Sequence, residues 1–490
     1  MSTTTSDALA PGDQTAAVGD GPVKLAIFLG AAVIALMMVF GFLMRAAQGA
    51  LIEIDPVLFY QIMTAHGAGM VGAAGLTGAT IMWYFTGRHV PLTQGVFTLF
   101  LGLFLLGVVL VLAGIFIGGF AGAWTFLYPL PAQSGGLWEP WAAVVFLLGY
   151  TSIGVAFLLL HLEVGRRLIA AWGGIGGALA WPLAFGGGRA EDAPPPAAVA
   201  AMAVTIFNTL GIVVGAAVLV ASIVNLLFPG FAVDALLAKN MIFFFGHVFI
   251  NASIYMAVIA VYEIMPEYFG KPYKTTRVLA LSWSAILLFV LAVYPHHLLQ
   301  DTVMPVWMLG MGQVVSYLSG IPLLAVTAFG ILTYLGQTRG MRWDLPSALL
   351  VLGVAGWTAG AVPAILDAML VVNKVMHNTQ WVPGHFHTYL ILGEVAMVFG
   401  FMAWLARVED APRFGGLAKL AFWLYALGGA AFVAMFLISG ALSVPRRWAV
   451  HAPEWMVQDR IATLAAGLVI LAVLIFLVSY VAGVPRRKEG

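Results

Sequence analysis

An all-α, polytopic membrane bundle of about 12 transmembrane helices is the fold class this sequence predicts. Of its 490 residues, 62% are hydrophobic and only 9% charged, a balance that cannot clothe the surface of a soluble globule. Apolar runs of about 20 residues recur from Lys24 to Val484, each long enough to cross roughly 30 Å of hydrocarbon. Lipid offers no partner to an unpaired backbone amide, so such runs fold as helices. The 56 glycines and 24 prolines suit membrane helices that approach one another closely. A formal net charge of +1 gives no sign of a nucleic-acid partner. With zero cysteines, disulfides, iron–sulfur clusters, a CxxCH-attached heme and a thiolate copper centre are all excluded.

The elements follow in order. Residues 1–22 are polar and read as a flexible cytoplasmic tail with no cleavable signal peptide evident; residues 23–490 read as one transmembrane domain. The expected spans are 24–48, 57–85, 92–118, 138–163, 200–228, 239–265, 276–299, 304–336, 346–370, 381–405, 416–441 and 460–484. Gly186–Val199 (GGGRAEDAPPPAAV) is the clearest linker and joins spans four and five. With a cytoplasmic N-terminus the inner loops hold 16 of the 22 basic residues. The outer side keeps Arg45, Lys239, Lys374, Arg446, Arg447 and Arg460. The asymmetry predicts a multi-pass protein of a bacterial or archaeal inner membrane, with both termini cytoplasmic.

Six of the ten histidines fall at one depth in this topology. His66 and His247 lie eight or nine residues into spans two and six, His385 and His387 open span ten, and His296 and His297 close span seven. At 1.5 Å per residue, all six sit within about 15 Å of the outer hydrocarbon boundary. One intramembrane histidine is as readily a hydrogen-bonded structural group as a ligand. Six at one level on four helices point to ligation, because polar groups in lipid are costly and imidazole binds heme iron and copper.

Spacing separates the roles. Residues two apart on a helix point about 200° from each other, so His385 and His387 face different metals across span ten. The adjacent His296 and His297 can serve one metal only where the helix ends or is distorted, and Pro295 supplies the reason. With His247 they make three imidazoles for a non-heme metal with a position left open.

These residues carry a resemblance to the heme-copper oxidoreductase superfamily, especially its B-type oxygen reductases, from span two to the loop after span eleven. Tyr60–Gly67 (YQIMTAHG) resembles the helix-two motif, and His377–His387 (HNTQWVPGHFH) resembles the helix-ten motif. The resemblance implies that His66 and His387 bind a low-spin heme and that His385 binds a high-spin heme. Gly246-His247 and Pro295-His296-His297 are similar to the motifs that hold copper. Val444-Pro445-Arg446-Arg447 resembles the arginine pair on the heme propionates, a task suited to the guanidinium fork. His377 and Asp301 occupy family positions near those propionates.

The sequence departs from the family where oxygen chemistry is concerned. Most A- and B-type oxygen reductases have a tyrosine four residues after the helix-six histidine; here the position is Asn251, on the same helical face as His247. The C-type position on helix seven is Val290, and Tyr294 and Tyr255 are the nearest phenols expected. Splitting O–O takes four electrons, one of which a neighbouring phenol can lend. Joining two NO molecules into N2O and water takes two electrons and two protons, and NO reductases of the family carry a Glu at this position. Asn251 can ligate the metal weakly or hydrogen-bond a reaction intermediate. The residues therefore favour NO reductase over the alternative, a B-type-like cytochrome c or quinol oxidase reducing O2 to water.

Other departures concern protons. Leu323, Val326 and Val258 replace polar channel residues of the B-type, while Tyr262 and Ser316 remain. This depletes a cytoplasmic proton route and leaves the outer side as the alternative entry. Glu394, seven residues beyond His387, reads equally as a structural carboxyl or a proton relay. Asn373 replaces a carboxylate near the propionates. Glu263, Glu163 and His161 are expected to snorkel at inner helix ends, and His89 and His451 to lie in loops. Three histidines favour copper over iron at the non-heme site, since iron usually adds a carboxylate. Electrons are expected from a separate subunit, a soluble cytochrome c or cupredoxin, or quinol. A secondary transporter fits the span count but explains none of the six histidines.

Overall fold

A computed structural model describes residues 20–329, 331, 335–336, 341–406 and 415–483. Residues 1–19 of the expected tail, and Arg339, Arg407, Arg413, Arg486, Arg487 and Lys488 of the inner basic set, lie outside the described residues. The described chain is helical, and its named helices are α1 (Asp20–Gln48), α2 (Pro56–Thr86), α3 (Gln94–Leu112), α4 (Pro140–Ala171), α5 (Ile175–Ala178), α6 (Trp181–Phe185), α7 (Pro196–Leu227), α8 (Ala235–Ala257), α9 (Ile259–Phe269), α10 (Arg277–Ala292), α11 (Val306–Leu323), α12 (Leu345–Asp367), α13 (Leu370–Met376), α14 (Trp381–His387), α15 (Ala396–Leu405), α16 (Gly416–Ala441) and α17 (Met456–Gly483).

Among the described residues, 11 helical segments are long and apolar enough to cross a membrane. The twelfth expected span, 57–85, is α2, a continuous helix of 31 residues that is not among those 11 because it is rich in Gly, Ala and Thr. Its composition matches its place. Every residue from Ala73 to Thr86 is buried, so α2 meets neighbouring helices rather than lipid and packs through small side chains. The expected linker is also shorter than its Pro-rich sequence suggests. Pro196 starts α7, and Pro196 to Val199 are buried in its first turn, because proline is tolerated where the helix N–H has no partner anyway.

Packing neighbours place the site. α2 lies between α1 and α8; α12 packs on the α14–α15 span; and α16 packs on α14 and α17. The helix ends are fixed by caps: the Asp55 carboxylate accepts from Val57 N and Leu58 N, Asp234 from Leu237 N, and Asp344 and Ser347 form a reciprocal capping box. Each such cap stabilises by about 1 kcal/mol. The first and last described helices, α1 and α17, meet where Tyr480 donates to the Lys24 carbonyl at 3.2 Å.

Candidate functional site

The first pair of rings belongs to α2 and α14. His66 and His387 stack nearly parallel, with centroids 6.2 Å apart and planes 14° from each other. His66 Nδ1 donates to the Met37 carbonyl at 2.6 Å, and His387 Nδ1 to the Pro383 carbonyl at 2.7 Å. A carbonyl can only accept, so each ring carries its hydrogen on Nδ1 and keeps a bare lone pair on Nε2. Gly41 makes room here, because a Cβ at that position would stand 3.0 Å from His66 Cε1. A narrow cavity opens at the two rings, bounded by Met38, Phe42, Met70 and Phe432. Two lone pairs directed into an apolar slot fit the axial ligation of a planar iron porphyrin.

The second cluster joins α8 to the chain after α10. That helix stops at Ala292, and Tyr294–Leu298 winds as a 3₁₀ turn around Pro295, which lets adjacent histidines face one point. His297 Nε2 lies 3.1 Å from His247 Nδ1 and 3.1 Å from His296 Nε2. His296 Nδ1 donates to Ser316 Oγ at 2.8 Å, while that hydroxyl donates onward to the Gly312 carbonyl, so His296 Nε2 is also a lone pair. Three ring nitrogens meeting this closely suit a metal ion with nitrogen ligands and an open coordination position. Asn251 Nδ2 donates to the His247 carbonyl at 2.8 Å and stands 3.1 Å from His247 Nε2, the ring atom turned away from the cluster. The amide oxygen is the part of Asn251 left for the cavity.

His385 and His387 take opposite sides of α14. His387 meets His66, whereas His385 lines a second, larger cavity together with His247, His296, His297 and Asn251. The segment Thr388–Val395 continues as a π-helix, which shifts the register just beyond the two ligands. The cavity wall is mostly apolar, and two phenols line it, Tyr255 and Tyr389. Tyr389 was not anticipated as a neighbour of the site, although its place four residues after His385 puts it on the same helical face. Tyr294, expected as a near phenol, instead donates its hydroxyl to Asn240 Oδ1 at 3.0 Å.

The rim is basic. Arg446 clamps Asn378 Oδ1 at 2.9 and 3.2 Å, and Gln380 N donates to the Val444 carbonyl, so the loop after α16 zips onto the start of α14. Burial, then the adjacent Arg447, pushes Arg446 down to about 10, which leaves it a cation at neutral pH. Burial, with Arg446 next, holds His377 below its ordinary value, so that ring is neutral at pH 7. Asp301 forms an ion pair with Lys239. Arg447 reaches Thr125 at 3.5 Å. The rim thus brings together Arg446, Arg447 and His377, the cations and donor suited to carboxylates, while Asp301 is engaged by its own lysine.

Several groups escaped the sequence reading. Trp124 packs between α2 and α8: a Cβ at Gly67 would meet its ring at 2.6 Å, and one at Gly246 at 3.5 Å. Glycine immediately after His66 and immediately before His247 was the signal for that insertion. His451 is a loop residue but buried, and its Nδ1 meets Asp459 Oδ2 at 2.6 Å while Arg45 meets Asp459 Oδ1 at 2.9 Å. Arg45 also lies over the Phe436 ring, which stacks on His387. His161 does not snorkel; it is fully buried and 2.8 Å from Asn208 Nδ2, because α4 continues two turns further than expected. Glu163 pairs with Arg166 and Arg167, and Glu263 with His89. Glu394 is fully buried and accepts from Ser253 Oγ at 3.1 Å, with Oε1 unpartnered. Tyr262 is buried and stacks on Tyr273. Neither Glu394 nor Tyr262 lines the large cavity.

Comparison with known proteins agrees with this architecture. The family described as Cytochrome C and Quinol oxidase polypeptide I matches residues 21–474. Cytochrome c oxidase subunit 1 of Thermus thermophilus is 30% identical over 236 residues, 44% of this chain and 41% of that protein. Cytochrome c oxidase polypeptide 1 of Halobacterium salinarum is 26% identical over 247 residues, 50% of this chain and again 41% of the relative. The matched segments thus span about two fifths of each relative. A cryo-EM structure of a heme-copper terminal oxidase dimer superimposes with a TM-score of 0.75 at 20% identity, covering 96% of this chain and 85% of that one, which is a likeness of fold. With nearly its whole length matched by the family and its fold shared with a solved member, the chain belongs to the cytochrome c and quinol oxidase polypeptide I family, subunit I of the heme-copper oxidoreductases.

Proposed function

We propose that this chain is the catalytic subunit of a respiratory terminal reductase that joins two NO molecules into N2O. The balance is 2 NO + 2 e⁻ + 2 H⁺ → N2O + H2O. In this reading His66 and His387 hold a low-spin heme, His385 a high-spin heme, and His247, His296 and His297 a copper ion. The two hemes and the copper supply the electron transfer and the Lewis acidity. The chain supplies everything else. Ser316 fixes His296, the Met37 and Pro383 carbonyls fix His66 and His387, and the apolar cavity admits a small uncharged gas. Arg446, Arg447 and His377 hold propionates, and Asp301 acts beside them by neutralising Lys239.

The observation that carries the choice of substrate is Asn251. An amide lines the cavity beside His247, at the position where the family resemblance puts a phenol. An amide can donate or accept a hydrogen bond but cannot be oxidised, so the residues beside the metal suit a two-electron reaction. Glu394, which accepts from Ser253 on α8, and Tyr262 are the candidate proton-path residues, and with the cytoplasmic route depleted the outer side is the alternative entry. Electrons come from a donor subunit, a cytochrome c, a cupredoxin or quinol. The setting is a bacterial or archaeal cell membrane with both termini cytoplasmic.

A second reading, O2 reduction, draws support from the two phenols in the cavity and from the cytochrome c oxidases among the relatives. Parallel NO and O2 electrodes on the purified, donor-supplied enzyme separate the two. Stoichiometric N2O from NO with slow O2 uptake is expected. Rapid O2 uptake with no N2O would assign the chain to the second reading.

A further inference from the structure

Each histidine of the candidate site has a second ring nitrogen, and its partner sets how strongly the ring donates to a metal. His66 and His387 are held by carbonyls, and His296 by a hydroxyl. His385 differs. Its Nδ1 is buried and has no hydrogen-bond partner, and a carboxylate oxygen, Asp367 Oδ2, stands 3.4 Å from it. That distance is at the long edge of hydrogen bonding. Both side chains are largely buried, with 15% and 14% of their surface exposed.

Asp367 is the last residue of α12, and it is held from behind. Asn373 Nδ2 donates to Asp367 Oδ1 at 3.1 Å and to the Asp367 carbonyl at 2.7 Å, while Gln300 Nε2 donates to Asn373 Oδ1 at 3.2 Å. Among the described residues, His385 is the ion-pair partner of this carboxylate. One oxygen is thus occupied by an amide, and the other stands 3.4 Å from a buried ring nitrogen that has no hydrogen-bond partner.

We propose that Asp367 is a positioning residue for His385: it accepts the Nδ1 hydrogen and gives the ring partial imidazolate character. A ring of that kind binds ferric iron more tightly than ferrous, strengthens the iron–nitrogen bond and fixes the ring's rotation about that bond. Asn373 and Gln300 act one step further out, aiming the carboxylate. This assignment rests on His385 holding the high-spin heme.

The test is made on the purified full-length enzyme with its hemes. Resonance Raman of the reduced high-spin heme reads the iron–histidine stretch, and redox titration reads the midpoint potential of the same heme. Asp367→Asn is expected to lower the stretching frequency and raise the potential, by about 59 mV for each tenfold loss of ferric preference. Asp367→Glu is expected to restore both toward the native values. Should Asp367→Asn accumulate poorly, Asn373→Ala loosens the same carboxylate without touching it and is expected to shift both readouts the same way by less. A high-spin heme whose stretch and potential stay put in Asp367→Asn, or in Asn373→Ala where that variant stands in, would overturn the proposal. A protein with no high-spin heme signal at all would overturn the reading of the site beneath it.

Discussion

Asn251 shows how much one side chain decides. Its Nδ2 is committed to the backbone carbonyl of His247 at 2.8 Å, so it stiffens α8 at the turn that presents a ligand and leaves only Oδ1 for the cavity. Removing the amide frees the His247 ring and takes an acceptor from the reacting molecules. Partners of metal ligands typically change affinity or activity by about 10- to 100-fold when lost. Asn251→Ala is expected to slow NO turnover by that order, measured at the NO electrode, with the low-spin heme spectrum unchanged. At the opposite edge of the site, the buried Arg45–Asp459–His451 triad shows a residue-scale feature that no motif announced. Its members come from α1, α17 and the loop between α16 and α17, and only folding brings them within 2.9 Å.

At the scale of elements, α1 and α2 must approach closely enough for His66 to reach a backbone carbonyl of its neighbour. Gly41 permits that approach. A side chain there would press on the His66 ring from 3.0 Å. Overpacking of this kind costs about 1–3 kcal/mol, roughly a 5- to 150-fold change in an equilibrium. Gly41→Leu is therefore expected to lose low-spin heme absorbance in the dithionite-reduced spectrum while copper content, read by metal analysis, persists. The grouping of the histidines was legible in the sequence because each sits at a helical depth and spacing that counting reveals. His385 and His387 needed only the 100° step of an α-helix, and His296 and His297 needed only Pro295. What the sequence withheld lies in contacts between distant segments. Trp124 enters from a loop, Asp367 ends one helix beside a ligand on another, and Tyr389 turns into the cavity where α14 passes into a π-helix. The span at α2 was legible from its length rather than its hydropathy, since an interior helix can trade aliphatic residues for Gly and Thr when protein replaces lipid as its neighbour.

Across the described residues, an apolar bundle gathers imidazoles from separate helices into two clusters. Rings from α2, α8, the turn after α10, and α14 converge on two cavities separated by the thickness of α14. Basic side chains close the rim, and buried groups such as Glu394 and His161 sit deeper. Imidazole lone pairs gathered in this way suit metal ions, and the proposed function rests on that fit. The central claim is therefore a stoichiometry. Elemental analysis of the purified full-length protein, normalised to polypeptide by quantitative amino-acid analysis, is expected to give two iron atoms and one copper atom per chain. A preparation holding fewer than two irons while keeping its helical fold, or one free of copper, would contradict the account.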